Sequence, residues 1–231
     1  AKELGIFQSP ETAQLIAYAV RDDTQGKGTL SRDPLDRAFG LSGLIAALNK
    51  KYTNDPDQIV SIVLPLLRAH LHAAREHHVE LPKDIQRKQQ EGMYVELQAE
   101  QAGKPVKIAF VTSDKPSMPG YLRAQTGRNI DVVVQKSEHT NHYVVLTKQQ
   151  RKLNLSKVMA FIRLREAELG GVELDEAKAE TIRTIEQVPN WYYDPATNSL
   201  LNGGPHNRTI QESRIPWEEM LKIVPAGIRI G

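Results

Sequence analysis

Residues 130–135, Ile130-Asp131-Val132-Val133-Val134-Gln135, and residues 143–147, Tyr143-Val144-Val145-Leu146-Thr147, decide the fold. Both runs are β-branched and short, so they read as strands, with the polar stretch 136–142 between them. Downstream, Leu155, Val158, Met159 and Ile162 stand at i, i+3, i+4 and i+7. That spacing predicts an amphipathic helix over 155–169, ended by Gly170-Gly171. Upstream, residues 93–100 alternate, Ala102-Gly103 supplies a turn, and 106–112 is rich in β-formers, which together predict a hairpin. A short helix is expected over 118–126. Strands that alternate with helices imply a mixed-sheet α/β domain over 92–231.

Further along, 172–186 is charged and reads as helical or as a lid-like insertion. Trp191-Tyr192-Tyr193, a turn at Asp194-Pro195 and a short strand over 199–201 follow, leading into the glycine-rich run 202–209.

Residues 1–91 read as a helical segment. Ser9-Pro10, Asp33-Pro34 and Asp55-Pro56 each pair a capping residue with a first-turn proline. They predict helices from 10 to about 22, over 35–48, and from 57 onward, the last one kinked or broken at Pro65.

Composition narrows the chemistry. The 231 residues contain no cysteine, which excludes disulfides, thiolate metal sites and thiol nucleophiles, and makes a reducing, cytoplasmic setting the expectation. The longest apolar run, 59–67, is far short of the roughly 20 residues that span a bilayer, so no membrane partner is expected. Ala1 to Gln8 lack the pattern of a signal peptide, and the missing initiator Met is that of a processed chain or a fragment. Thirty basic against 28 acidic residues give a net charge of +2, so nucleic-acid binding would need a local patch.

The densest functional candidate is Asn202-Gly203-Gly204-Pro205-His206-Asn207-Arg208-Thr209. Two glycines let backbone N–H groups approach an anion, and His206 and Arg208 add donors suited to phosphate, although Pro205 contributes no N–H. A plain surface turn accounts for the same residues. Between 136 and 165, Lys136, Lys148, Arg151, Lys152, Lys157, Arg163 and Arg165 face the single acid Glu138. Such a stretch suits a phosphate backbone, or it is a solvated surface. Asp22-Asp23 at a helix end could ligate Mg²⁺ or Mn²⁺, or simply end the helix. The histidine spacings, 70/72 and 77/78, point to diverging directions, and His139 and His142 flank a loop tip where a substrate contact fits better than a metal. Trp191 to Tyr193 either stack on a base or pack inward.

The order strand 131–135, strand 143–147, helix from 153, then Gly203-Gly204-Pro205-His206 resembles the C-terminal, DHH-associated domain of the DHH phosphoesterase superfamily. The resemblance covers about 106–209. It implies a substrate-binding domain that grips a nucleotide or short oligonucleotide through Gly203, Gly204, His206 and Arg208. It also implies a Mn²⁺ or Mg²⁺ pair in the intact enzyme, with Asp23 in Arg21-Asp22-Asp23-Thr24-Gln25-Gly26 as one ligand. Pro205 replaces the family's usual third glycine, and Asn207-Arg208-Thr209 replaces small residues. The His-x-Asp-x-Asp and Asp-His-His segments of the family do not occur here, so the resemblance implies that the catalytic half is mostly missing and that this portion associates with it or pairs as a homodimer. A non-catalytic nucleotide- or RNA-binding module is the alternative.

Overall fold

The computed structural model describes residues 9–25, 33–203 and 209–231. They form helices and a seven-stranded mixed sheet, an α/β fold in which a helical segment precedes the sheet. The chain divides into two compact units, Ala1–Lys83 and Asp84–Gly231. The change of hydrophobic period falls near residue 92, eight residues later, because the end of a helix belongs with the sheet.

In the first unit, α1 (Pro10–Gln25), α2 (Pro34–Phe39), α3 (Leu41–Lys51) and α4 (Pro56–Arg75) start at the expected Pro signals, apart from α3. The expected helix over 35–48 is two helices, since Gly40 is extended (φ −66°, ψ 156°) and separates α2 from α3. Asp55 caps α4, its Oδ1 accepting from the Gln58 N–H at 3.0 Å. The helix runs unbroken through Pro65 to Arg75, so of the kink or break expected there the break does not occur, and it then passes through one π-helical turn, Glu76–Glu80, into α5 (Leu81–Gln90). None of the described helices is long and apolar enough to cross a membrane.

The second unit begins inside α5. β1 (Tyr94–Gln101) and β2 (Lys104–Thr112) form the expected hairpin; Ala102 and Gly103 both adopt positive φ at its turn. α6 (Met118–Arg123) connects β2 to β3 (Val132–Lys136), which lies parallel to β2. β4 (Tyr143–Thr147) returns antiparallel to β3. α7 (Ser156–Gly170) ends at Gly171, left-handed at φ 67°. The stretch expected to be helical or lid-like instead holds one helical turn, α8 (Glu176–Ala179), and a short strand, β5 (Arg183–Ile185). β6 (Val188–Asp194) and β7 (Ser199–Asn202) extend the sheet, and α9 (Trp217–Ile230) closes the chain. The strand order is β1-β2-β3-β4-β7-β6-β5, with β2 and β3 the parallel pair.

Both faces of the centre are buried, which is why β3 reads as an unbroken apolar run rather than an alternation. Ile108, Phe110, Val132, Val134, Tyr143, Val145 and Leu200 share one face with the inner sides of α7 and α9. There α7 and α9 touch so closely that a Cβ on Gly227 would lie 2.6 Å from the Cα of Val158. Trp191 is fully buried on the same face and stacks with Tyr143, so it belongs to the core and not to a base-stacking surface. Arg163 is also fully buried. It donates to the carbonyls of Ala179, Thr181, Arg183 and Trp191, and burial pulls its guanidinium down to about 10. That one side chain fastens the irregular 179–183 segment to α7.

Candidate functional site

β2, β3 and β7 all end at one edge of the sheet, at Thr112, Lys136 and Asn202. The carboxyl ends of parallel strands are where open α/β sheets place ligands, because loops diverge there and leave a crevice. Gly203 follows Asn202 directly and is left-handed at φ 63°, a conformation that suits glycine and turns the chain off the sheet. Of the residues expected to grip phosphate, Gly203 is therefore at this edge. Gly204, His206 and Arg208 lie outside the described residues. Asp23 sits exposed in the last turn of α1, in the first unit, and belongs to no group of three potential metal-ligating side chains among the described residues.

What frames the glycine run is a set of buried and half-buried polar side chains. Asn202, fully buried, donates Nδ2 to the carbonyls of Asn190 (2.8 Å) and Gln211 (3.1 Å), and its Oδ1 accepts the Ser213 N–H. His142, 6% exposed, places Nε2 2.9 Å from the Ile210 carbonyl and Nδ1 2.9 Å from the Thr140 hydroxyl. A carbonyl only accepts, so Nε2 carries the proton there. Asn141 donates Nδ2 to the carbonyls of Ser213 (2.6 Å) and Ile215 (2.9 Å), while its N–H reaches Glu212 (2.8 Å). Beneath them the carboxylate of Glu166, 1% exposed, accepts from Trp191 Nε1 (3.1 Å), Ser213 Oγ (2.7 Å), the Arg214 N–H (2.9 Å) and Arg214 Nη1 (3.3 Å). An irregular segment, 210–215, is thus held by β4, β7 and α7 through side chains alone in most of its bonds. Buried polar groups are costly unless fully satisfied, and here they are arranged to fix both ends of one loop.

Charge at this edge is close to balanced. Lys88 is buried and pairs with Glu138 at 2.6 Å; Lys115 pairs with Asp84 at 3.2 Å. Lys136 is different. Its ammonium meets only the carbonyls of Ser137 (3.3 Å) and Thr140 (3.0 Å), and no carboxylate pairs with it among the described residues. Lys136 faces Tyr143, which faces Asn202, so it stands two strands, about 10 Å, from the start of the glycine run.

The seven cations counted between 136 and 165 do not form one surface. Lys136 is at this edge, whereas Lys148, Arg151 and Lys152 follow the other end of β4. Arg163 is internal, Lys157 pairs with Glu176 and Glu180, and Arg165 pairs with Glu168 and Glu219. A continuous phosphate-backbone track over this stretch is excluded by that dispersal.

Asp114, Glu138 and His139 gather ligand atoms within 4.8 Å of one another, the only such trio among the described residues. Lys88 already neutralises Glu138, and the His139 side chain is 83% exposed. This arrangement does not fit a two-ion hydrolytic centre, which needs several carboxylates around ions about 3.5–4 Å apart. Partial burial opposes ionisation of Asp114, but the Ser137 hydroxyl, the Glu138 N–H and the nearby His139 and Lys88 charges hold its carboxyl below the usual range. Asp84 behaves alike: burial opposes ionisation, and Arg87 and Lys115 outweigh it. Depressed carboxyls mean that the folded chain binds fewer protons than the unfolded one. Their contribution is present above the ordinary carboxylate range near 4 and is lost as pH falls through the lower folded values. Denaturant titrations between about pH 5 and 2 are expected to show a falling stability whose slope shrinks in Asp114→Asn; an unchanged slope would remove Asp114 from the network.

Set beside family models, curated proteins and solved structures, the chain matches none of them.

The sequence reading named Gly203 at this edge and placed His142 by a loop tip. It did not find Glu166, Asn141 or Asn202 as frame residues. A signal existed for one of them: Glu166 follows Met159 by seven and Ile162 by four, so it occupies the apolar stripe of α7.

Proposed function

We propose that the second unit holds a phosphate group of a nucleotide or short oligonucleotide at the Gly203–Thr209 loop. It would act as the substrate-binding portion of a metal-dependent phosphoesterase. The observation that carries this reading is the frame of buried His142, Asn202 and Glu166 with half-buried Asn141, which fixes the loop's return segment at the carboxyl-end edge of the sheet. Gly203 gives backbone approach, Arg208 and His206 supply charged donors in sequence, and the Lys136 ammonium at the same edge adds a positive charge that no carboxylate among the described residues pairs with. A Mn²⁺ or Mg²⁺ pair would supply an activated water in such an enzyme, held by groups outside the described residues. The role of this chain is to bind and orient the phosphate.

The test is equilibrium binding of nucleoside monophosphates and short oligonucleotides at low and moderate salt. Binding is expected to weaken with salt, and Arg208→Ala to cost about 10- to 100-fold in affinity, as for loss of a charge-assisted bond. Absence of binding to every nucleotide and oligonucleotide at low salt would sink the reading.

A second reading, a nucleotide- or RNA-binding module without catalysis, is favoured by the lack of His-x-Asp-x-Asp and Asp-His-His segments in the sequence. Turnover separates the two. Mn²⁺-dependent release of nucleotide by the protein purified from its native source supports the enzyme; tight binding with no release supports the module.

A further inference from the structure

At the opposite end of the sheet, where β3 begins and β4 ends, the last turn of α6 and the segment after β4 enclose a cavity of about 480 Å³. Its functional groups are Arg123, Lys148, Gln125, Gln149 and Gln150. Two cations and three amides line it, and no carboxylate does. That is unusual for a half-buried guanidinium, which normally has an acidic partner when withdrawn from water.

Arg123 is bound only to neutral carbonyls, Nε to Pro119 at 3.1 Å and Nη1 to Thr147 at 2.8 Å. Lys148 Nζ meets the amide oxygen of Asn129 at 2.5 Å. No carboxylate pairs with either among the described residues. The acid at this end of β3, Asp131, is committed to Arg151 at 3.1 Å and to the Lys107 N–H at 2.9 Å. The desolvation that lowers the affinity of Arg123 for its proton acts with nothing of opposite charge to offset it. Neutral carbonyls orient these cations without cancelling them, so the concave wall keeps a net positive potential.

We propose that this cavity is a phosphate site that takes the phosphate of a phosphate ester. Arg123 and Lys148 meet the phosphate oxygens, and the amides of Gln125, Gln149 and Gln150 offer donors and acceptors to the esterified group. β3 separates this end from the glycine run by five residues, about 15 Å, so the proposal stands apart from the reading of the loop.

The experiment is titration of the ¹⁵N-labelled chain at low salt with inorganic phosphate, and separately with a nucleoside 5′-monophosphate, followed by amide shifts. Both ligands are expected to shift residues 123–125 and 148–150, the ester at lower concentration. Lys148→Gln is expected to weaken both about tenfold, the loss of one charged contact. Arg208→Ala leaves these shifts unchanged, whereas it weakens binding at the loop about 10- to 100-fold. Arg123→Gln is read beside Lys148→Gln because Arg123 also anchors α6, while Lys148 gives up only its contact with Asn129. No shift at these residues up to about 10 mM ligand, or shifts of undiminished affinity in Lys148→Gln, overturns the proposal.

Discussion

Replacing Glu166 with alanine is expected to destabilise the second unit by about 3–5 kcal/mol, visible as an early urea transition. The change strands two buried donors, the Trp191 indole N–H and the Ser213 hydroxyl, and also removes the acceptor of the partly buried Arg214 N–H. Each unsatisfied buried group costs about 1–3 kcal/mol, and no water reaches a carboxylate that is 1% exposed. Glu166→Gln keeps the volume but turns one accepting oxygen into a donating NH₂ among donors, so it should recover only part of the loss. A change below about 1 kcal/mol in the alanine variant would show that the frame is not held by α7. Because Glu166 lies behind segment 213–214, the same variant should also weaken the proposed phosphate binding at the loop.

Gly227→Val is expected to be the most damaging change on α9. A Cβ there would lie 2.6 Å from Val158 Cα and 2.7 Å from Val158 N, both backbone atoms, so no side-chain rotation relieves the overlap. α7 and α9 would have to move apart and open the core beneath them. Overpacking of this kind costs about 1–3 kcal/mol, and valine adds two further methyl groups to the same contact. Thermal unfolding should show the loss, with Gly227→Ala between wild type and valine. Gly120→Ala is the control, since nothing lies within 4 Å of its Cβ position, and it should be nearly neutral. Equal stability of Gly227→Val and wild type would mean that the helices do not cross at this glycine.

Much of the fold could be read from residue patterns because the patterns report burial. The alternation before Ala102-Gly103 and the apolar run at 132–134 mark strands with one and two covered faces respectively. The helix over 155–169 was legible from its stripe, one residue off at each end. What misled was chemistry that depends on distant partners. Residues 172–186 look helical by composition, but Arg163 captures their carbonyls from α7, and a charged residue in an apolar stripe does not announce whom it binds. Pro65 suggests a kink or a break, and α4 runs on through it unbroken. Gly40 ended a helix whose Pro start and apolar stripe ran on across it. Of the proposed site, the sequence points to the glycine run itself, of which Gly203 is among the described residues. The residues that hold it, Asn141 and His142 in the loop before β4, Asn202 in β7 and Glu166 in α7, come from three separate places, and no spacing along the chain relates those places.

That frame has an evolutionary corollary. Most of the bonds described in it end on Asn202 or on residues 210–215, the two flanks of the glycine run. The edge of the sheet therefore behaves as a socket. On the proposed phosphate-binding reading, these two posts hold the flanks of the loop, and specificity would reside in the residues between them.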